Sequence, residues 1–280
     1  MRNQQLNLGV WFYGLGTALT GILDIMWRAF DTSHQPIQVL GNVPGQTILA
    51  CIVGVWLTTA GLAVLRRSSA KVSAAASGVA YMTFVALWLL RYYAGIHALG
   101  WRMNVLFGVS FGLSQQLLLV APAAIIYVSI GSRDPRAQEG AITAARWMLG
   151  VPCIIFGLGH LVGIAIFAKI VPEWMQFGEF WAALTGIAFL LAGLAICSKR
   201  RDVLAARLLA LMLLLFEFLV EIPPIFFRSH NQATWGAAVY NLAAIGACWI
   251  FAEVLAGRAD RERVGPAENS VMSDLDRVIV

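Results

Sequence analysis

Polar and charged residues divide this chain into eight long apolar runs, at about 9–27, 46–65, 73–93, 104–130, 146–169, 179–197, 204–226 and 235–256. Each is close to the roughly 20 residues that an α-helix needs to cross the hydrocarbon of a bilayer. The runs are continuous rather than alternating, which excludes a membrane β-barrel. The pattern predicts an all-α polytopic membrane protein of eight transmembrane helices. No cleavage pattern follows the first run, so it is read as a retained first helix.

Composition agrees, with 59% hydrophobic and 12% charged residues against about 25% charged in soluble domains. The basic residues are unevenly placed. Arg2, Arg66, Arg67, Lys71, Arg133, Arg136, Arg146, Lys199, Arg200, Arg201, Arg207, Arg258, Arg261, Arg263 and Arg277 fall on one side of the predicted membrane, and only Arg28, Arg91, Arg102, Lys169 and Arg228 on the other. This bias predicts both termini in the cytoplasm of a cell whose inner membrane the chain spans. It also accounts for the net charge of +5 without a nucleic-acid partner; the partner is the lipid bilayer. Cys51, Cys153, Cys197 and Cys248 lie inside apolar runs without a C-x-x-C pair, as small core residues would.

The chain echoes itself. FYGLGTALTG from Phe12 matches the stretch opening at Phe156, and GVWLTTAGLA from Gly54 matches GIAFLLAGLA from Gly186, at offsets of 143 and 132 residues. The later copy would then have a loop shorter by 11. We expect two four-helix repeats, 1–130 and 146–257, joined by a cytoplasmic linker 131–145 and followed by a disordered tail 258–280. Four spans per repeat give parallel repeats related by an axis along the membrane normal. Gly108 with Gly112 and Gly159 with Gly163 form G-x-x-x-G pairs, while Gly54 with Gly61 and Gly186 with Gly193 share a face seven residues apart; all read as packing devices.

The second half resembles a known family. Phe156-Gly157-Leu158-Gly159-His160, the Val171-Pro172-Glu173-Trp174 turn, Phe180-Trp181, Thr185-Gly186, Ala192-Gly193-Leu194-Ala195 and Ile222-Pro223-Pro224 together look like the DoxX-like family of four-helix bacterial membrane proteins. The resemblance covers about 150–255. It implies a membrane subunit that assists electron transfer between a redox partner protein and the quinone pool, with quinone as its cofactor. The first half keeps only the glycine motifs and has Thr17 where the second has His160. Family members often carry an acid in the last helix, where this chain has Asn241.

Ionisable residues at membrane depth face a bundle interior or a water-filled cavity. His160, Glu217, Glu221 and Asn241 are expected in the outer half of the second repeat. Glu217 and Glu221 are four apart on one helix face. Pro223 and Pro224, lacking N–H groups, release the carbonyls of Leu219 and Val220. The expected site has His160 and Glu217 handling protons, and Glu221, Asp24, Arg91 and Asn241 shaping the pocket. The alternatives are a structural hydrogen-bond network, or a non-enzymatic binder or transporter of a small or lipophilic solute. Asp24 and Arg91, near the outer interface, are expected to be solvated and paired with each other. Trp11, Trp88, Trp101, Trp147, Trp235 and Trp249 read as interface anchors. His34, His97 and His230 have no metal-ligand spacing, so no metal is expected. Phosphate-loop, dinucleotide and nucleophile-elbow signatures are absent.

Overall fold

A computed structural model describes residues 8–31, 34, 45–132 and 134–278, without the side chains of Asn104 and 260–278. The polar lead 1–7 and Arg133 lie outside the described residues. All regular structure among those described is helical: α1 (Leu8–Trp27), α2 (Gln46–Val64), α3 (Ala70–Leu99), α4 (Met103–Gly131), α5 (Pro135–Val162), α6 (Ile164–Phe167), α7 (Gly178–Cys197), α8 (Asp202–Phe216), a π-helical turn (Glu217–Glu221), α9 (Ile222–Phe227) and α10 (Gln232–Val278). Eight helical stretches, with α8 through α9 counted as one, are long and apolar enough to cross a membrane. The chain is a multi-pass membrane protein.

Several boundaries differ from the hydropathy pattern. Asp134 caps α5 by accepting the amide hydrogen of Arg136, and Pro135 takes the first turn, so helix occupies most of the expected linker. The same helix ends at Val162 rather than near 169, because Gly163 leaves helical geometry (φ −101°, ψ 28°). The segment that follows folds over the bundle instead of extending it. Past the membrane, α10 stays helical through Val278, where composition led us to expect a disordered tail from 258.

The helices pack in the ring order α1, α2, α3, α4, α5, α7, α8, α10 and back to α1, and α4 touches α10 across the middle. We call the end at which α1 begins and α10 leaves the bundle the terminal end and its opposite the far end.

Glycines set the closest approaches. A Cβ on Gly14 would lie 2.8 Å from the carbonyl oxygen of Gly61, and one on Gly54 2.7 Å from that of Gly21. In the second half a Cβ on Gly157 would lie 2.7 Å from the carbonyl oxygen of Gly186, and one on Gly193 2.6 Å from that of Gly150. Both antiparallel hairpins, α1–α2 and α5–α7, therefore use two glycine pairs seven residues apart on each helix. Real side chains do not approach this closely, so only glycine admits these backbones.

This register corrects the repeat offset. Gly14 stands where Gly150 stands and Gly21 where Gly157 stands, an offset of 136; α2 and α7 keep 132. The second hairpin is shorter by 4 residues, not 11. Asp24, rather than Thr17, is then the positional counterpart of His160. The G-x-x-x-G pairs do other work. Gly112 receives the Trp88 ring, Gly159 receives Phe111, and Gly108 has no neighbour within 4 Å of its would-be Cβ.

Polar links reinforce the first half. Tyr13 donates to Ser77 Oγ (3.1 Å) and Tyr81 donates to Thr17 Oγ1 (3.1 Å), with both rings fully buried. At the terminal end, the Arg146 guanidinium donates to the Ile196 carbonyl (2.6 Å) and to Asp202 Oδ2 (2.7 Å), and lies over the Phe251 ring. It thus satisfies a last-turn carbonyl of α7 and the acid that opens α8. Counted from sequence as a loop charge, Arg146 is only 5% exposed and ties four helices together.

Candidate functional site

The weak seam of the ring lies between α7 and α8. The face of α7 turned towards α8 carries Ala182, Thr185, Ala188, Ala192 and Ala195, and behind these small residues opens a cavity of about 810 Å³. Leu204, Leu208, Met212 and Leu215 of α8 form the opposite wall. Phe111 and Leu118 of α4, Phe156 of α5 and Ala244 of α10 form the rear. Leu184, Leu191, Leu208 and Leu215 line this space and are also exposed on the bundle surface, so the cavity is a groove with a mouth on the lipid side. It runs from Arg201 near the terminal end to Glu221 near the far end. Twenty residues at the helical rise make that about 30 Å, the thickness of the hydrocarbon.

Why the groove is here follows from the glycine register. At the shared offset of 132, Ala188 occupies the position held in α2 by Trp56. The Trp56 indole, 42% exposed, lies across the outer side of the α2–α3 seam and donates to the Ala76 carbonyl of α3 (3.1 Å). A methyl group in place of an indole leaves the outer side of the α7–α8 seam uncovered.

The far end of the groove holds its polar groups. His160 is in the last turn of α5, about one turn beyond Gly157, which meets α7 near its middle at Gly186. Its Nδ1 is 2.8 Å from the Phe156 carbonyl. A carbonyl only accepts, so Nδ1 carries the hydrogen and Nε2 of the neutral ring is an acceptor. The ring stacks on Phe167 (centroids 3.8 Å apart, 17° between planes), which the turn after Gly163 folds back over it. Phe111, Phe156 and Phe189 complete an aromatic cluster around the imidazole.

The double proline reshapes α8. With no amide hydrogen at 223 or 224, the helix widens into a π-turn in which the Ile222 amide donates to the Glu217 carbonyl. Glu217 is turned inward and buried, where Asn241 donates to its Oε2 (2.8 Å) and to the Leu213 carbonyl (2.8 Å). Glu221 and Asn241 line the groove, as does Tyr240, whose buried hydroxyl has no hydrogen-bond partner among the described residues.

Of the residues expected in one site, the fold thus brings His160, Glu221 and Asn241 to one cavity, with Glu217 behind Asn241. Asp24 and Arg91 are elsewhere. Asp24 is fully buried, not solvated: the chain after α1 returns over it, the Asp31 amide donates to its Oδ1 (2.9 Å), and His34 Nδ1 lies 3.5 Å from Oδ2. Among the described ion pairs, Asp24 is with His34 rather than Arg91, whose guanidinium lies over the Trp88 ring. Trp88, expected at an interface, is 6% exposed and packs on Gly112. His34 itself is 1% exposed, its ring stacked on Phe84. No group of three His, Cys, Asp or Glu among the described residues could hold a metal ion.

A second cavity of about 280 Å³ joins these regions, lined by Asp31, Trp88, Gly108, Gly112 and Gly236. Phe111, Gln115, Ala237 and Tyr240 line both cavities. The space over Gly108 is part of this chamber, and a side chain on Gly236 would collide with the Asp31 carboxylate.

Compared with protein-family models, with curated proteins and with solved structures, the chain matches none. It stands on its own architecture as a multi-pass membrane protein with a groove that is mostly apolar along its length, with Arg201 at one end and His160, Glu221 and Asn241 towards the other.

Proposed function

We propose that this protein binds one membrane-dissolved amphiphile, a long apolar tail with a small polar head, which enters sideways between α7 and α8. The observation that supports this most is the groove itself: an apolar trough about as long as the hydrocarbon is thick, open to lipid, and ending at His160, Glu221 and Asn241. Burying a tail there removes no polar backbone from its partners, and the head meets hydrogen-bonding groups that bulk lipid lacks.

A quinone is the redox-active member of this ligand class. The stacked pair His160–Phe167 at the polar end favours it as a second reading, by offering a flat ring a neighbour of the same shape. On that version the chain is a DoxX-like membrane subunit and a redox partner protein supplies or removes the electrons, since no side chain here carries them. We further propose that the chain lies in the inner membrane with both termini in the cytoplasm, on the strength of its basic-residue bias.

Photolabelling tests the binding. A long-chain alcohol carrying a diazirine is photolysed in membranes containing the protein, and labelled peptides are mapped. The expected result is labelling of the Leu204–Leu215 and Ala182–Ala195 segments that excess unlabelled alcohol abolishes, and that Ala188→Trp removes. Uncompeted labelling spread evenly over all lipid-facing helices would contradict the proposal.

A further inference from the structure

The polar end of the groove is rich in hydrogen-bond acceptors, beside the Thr185 hydroxyl and the Gln115 amide. Asn241 spends its amide hydrogens on the Leu213 carbonyl and the Glu217 carboxylate. Both partners only accept, so the amide orientation is fixed and Oδ1 is what Asn241 has left to offer. His160 spends its Nδ1 hydrogen on the Phe156 carbonyl, which leaves Nε2 as an acceptor. Glu221 contributes a carboxyl group. The Leu219 carbonyl, on the same wall, has proline at both the i+4 and i+5 positions, and neither proline has a hydrogen to donate. The unpartnered Tyr240 hydroxyl accepts as readily as it donates.

Charge points the same way. Arg201 is the one Lys or Arg lining the groove among the described residues, and it stands at the opposite end. The far end has Glu221, with Glu217 one turn behind. Around them Phe111, Phe156, Phe167 and Phe189 present ring faces and edges. Such a setting favours a cation over either a neutral or an anionic head.

From this we infer that the head group is a donor-bearing organic cation: the ligand is a protonated alkylamine, its tail along α7 and α8 and its ammonium among Glu221, Asn241 Oδ1, His160 Nε2 and the Leu219 carbonyl. An ammonium has three N–H donors and no acceptor, so it can engage three of these four groups at once. A quinone carbonyl, an acceptor, has only the neutral donors of Thr185, Gln115 and Tyr240 to meet and gains nothing from Glu221. This inference rests on the groove being an amphiphile site at all.

The test compares four ligands with the same twelve-carbon tail. Saturable binding of dodecylamine, dodecyltrimethylammonium, dodecanoate and dodecanol is measured on the full chain in lipid nanodiscs, with empty nanodiscs as the blank. Dodecylamine should bind about tenfold more tightly than the other three, the scale of one charge-assisted hydrogen bond. Glu221→Gln should abolish that preference, and an unchanged helical circular-dichroism spectrum and size-exclusion profile of the variant in the same nanodiscs certify that it is folded. Dodecyltrimethylammonium binding as tightly as dodecylamine would overturn the donor requirement, dodecanoate binding as tightly would overturn the charge assignment, and an unchanged preference in Glu221→Gln would overturn the residue assignment. Saturable dodecanol binding without any preference for the amine would sink this inference and leave the amphiphile groove standing. Absence of saturable binding for all four would remove the groove reading as well.

Discussion

Adding one methyl group at a glycine pair should wedge a hairpin open. In Gly157→Ala the new Cβ would sit 2.7 Å from both the Gly186 carbonyl oxygen and the Leu190 amide nitrogen. Ordinary contact begins near 3.4 Å, and both obstacles are backbone, so no rotamer change relieves them; α5 and α7 must part by about 0.7 Å. Forced overpacking of this kind costs about 1–3 kcal/mol. Replacing a helical glycine by alanine returns up to about 1 kcal/mol of helix propensity. Gly108→Ala is the matched control, because its Cβ would meet nothing within 4 Å and only the propensity gain remains. The two variants should therefore differ by about 1–3 kcal/mol, Gly157→Ala being the less stable. Reversible unfolding in mixed micelles, titrated with sodium dodecyl sulfate and followed by tryptophan fluorescence, measures this. Gly14→Ala should behave like Gly157→Ala. Joined with Gly61→Ala it should cost less than the two single changes together, since one displacement relieves both contacts. Equal stability of Gly157→Ala and Gly108→Ala would refute the glycine register, and with it the positional match of Trp56 to Ala188.

Other outcomes follow from the polar contacts. Asn241→Leu removes both bonds from a buried amide and leaves Glu217 without its partner; we expect a loss of about 1–2 kcal/mol in the same titration and weaker dodecanol binding from a displaced π-turn. Asp202→Asn strips the buried Arg146 of its charge partner and should cost about 3 kcal/mol, while Arg146→Met with Asp202→Leu should recover most of it. A cysteine appended after Val280 should react with a membrane-impermeant maleimide only after cells are opened; labelling of intact cells would reverse the proposed orientation.

How far the sequence spoke for itself differs between elements. The eight spans were readable because long apolar runs have few alternative fates in a chain with so little charge. The glycine spacing was readable too, but the repeat offset slipped by seven residues. Seven residues are two helical turns, so FYGLG sliding along α5 presents nearly the same face at either setting, and only the contacts with α2 and α7 choose between them. Glu217, Glu221 and the double proline were recognised as a broken helix with acids, and the π-turn is that break. Asp24 misled because its depth says nothing about the loop that covers it; the carboxylate is sealed by residues 31 and 34. Arg146 misled because a basic residue near a span end looks the same whether it faces water or reaches a carbonyl 50 residues away. The groove was the hardest to foresee, since it depends on a missing side chain at Ala188 rather than on any residue with chemistry of its own. Comparing Trp56 with Ala188 across the 132-residue offset was the one available signal.

The most direct test of the account is native mass spectrometry of the full chain released gently from its own membrane, beside the Ala188→Trp variant. A groove that takes one amphiphile predicts a wild-type peak carrying a single retained small molecule with a long apolar chain, and an Ala188→Trp peak without it at the same folded charge-state distribution. Identical retention by both proteins would contradict the account at its centre.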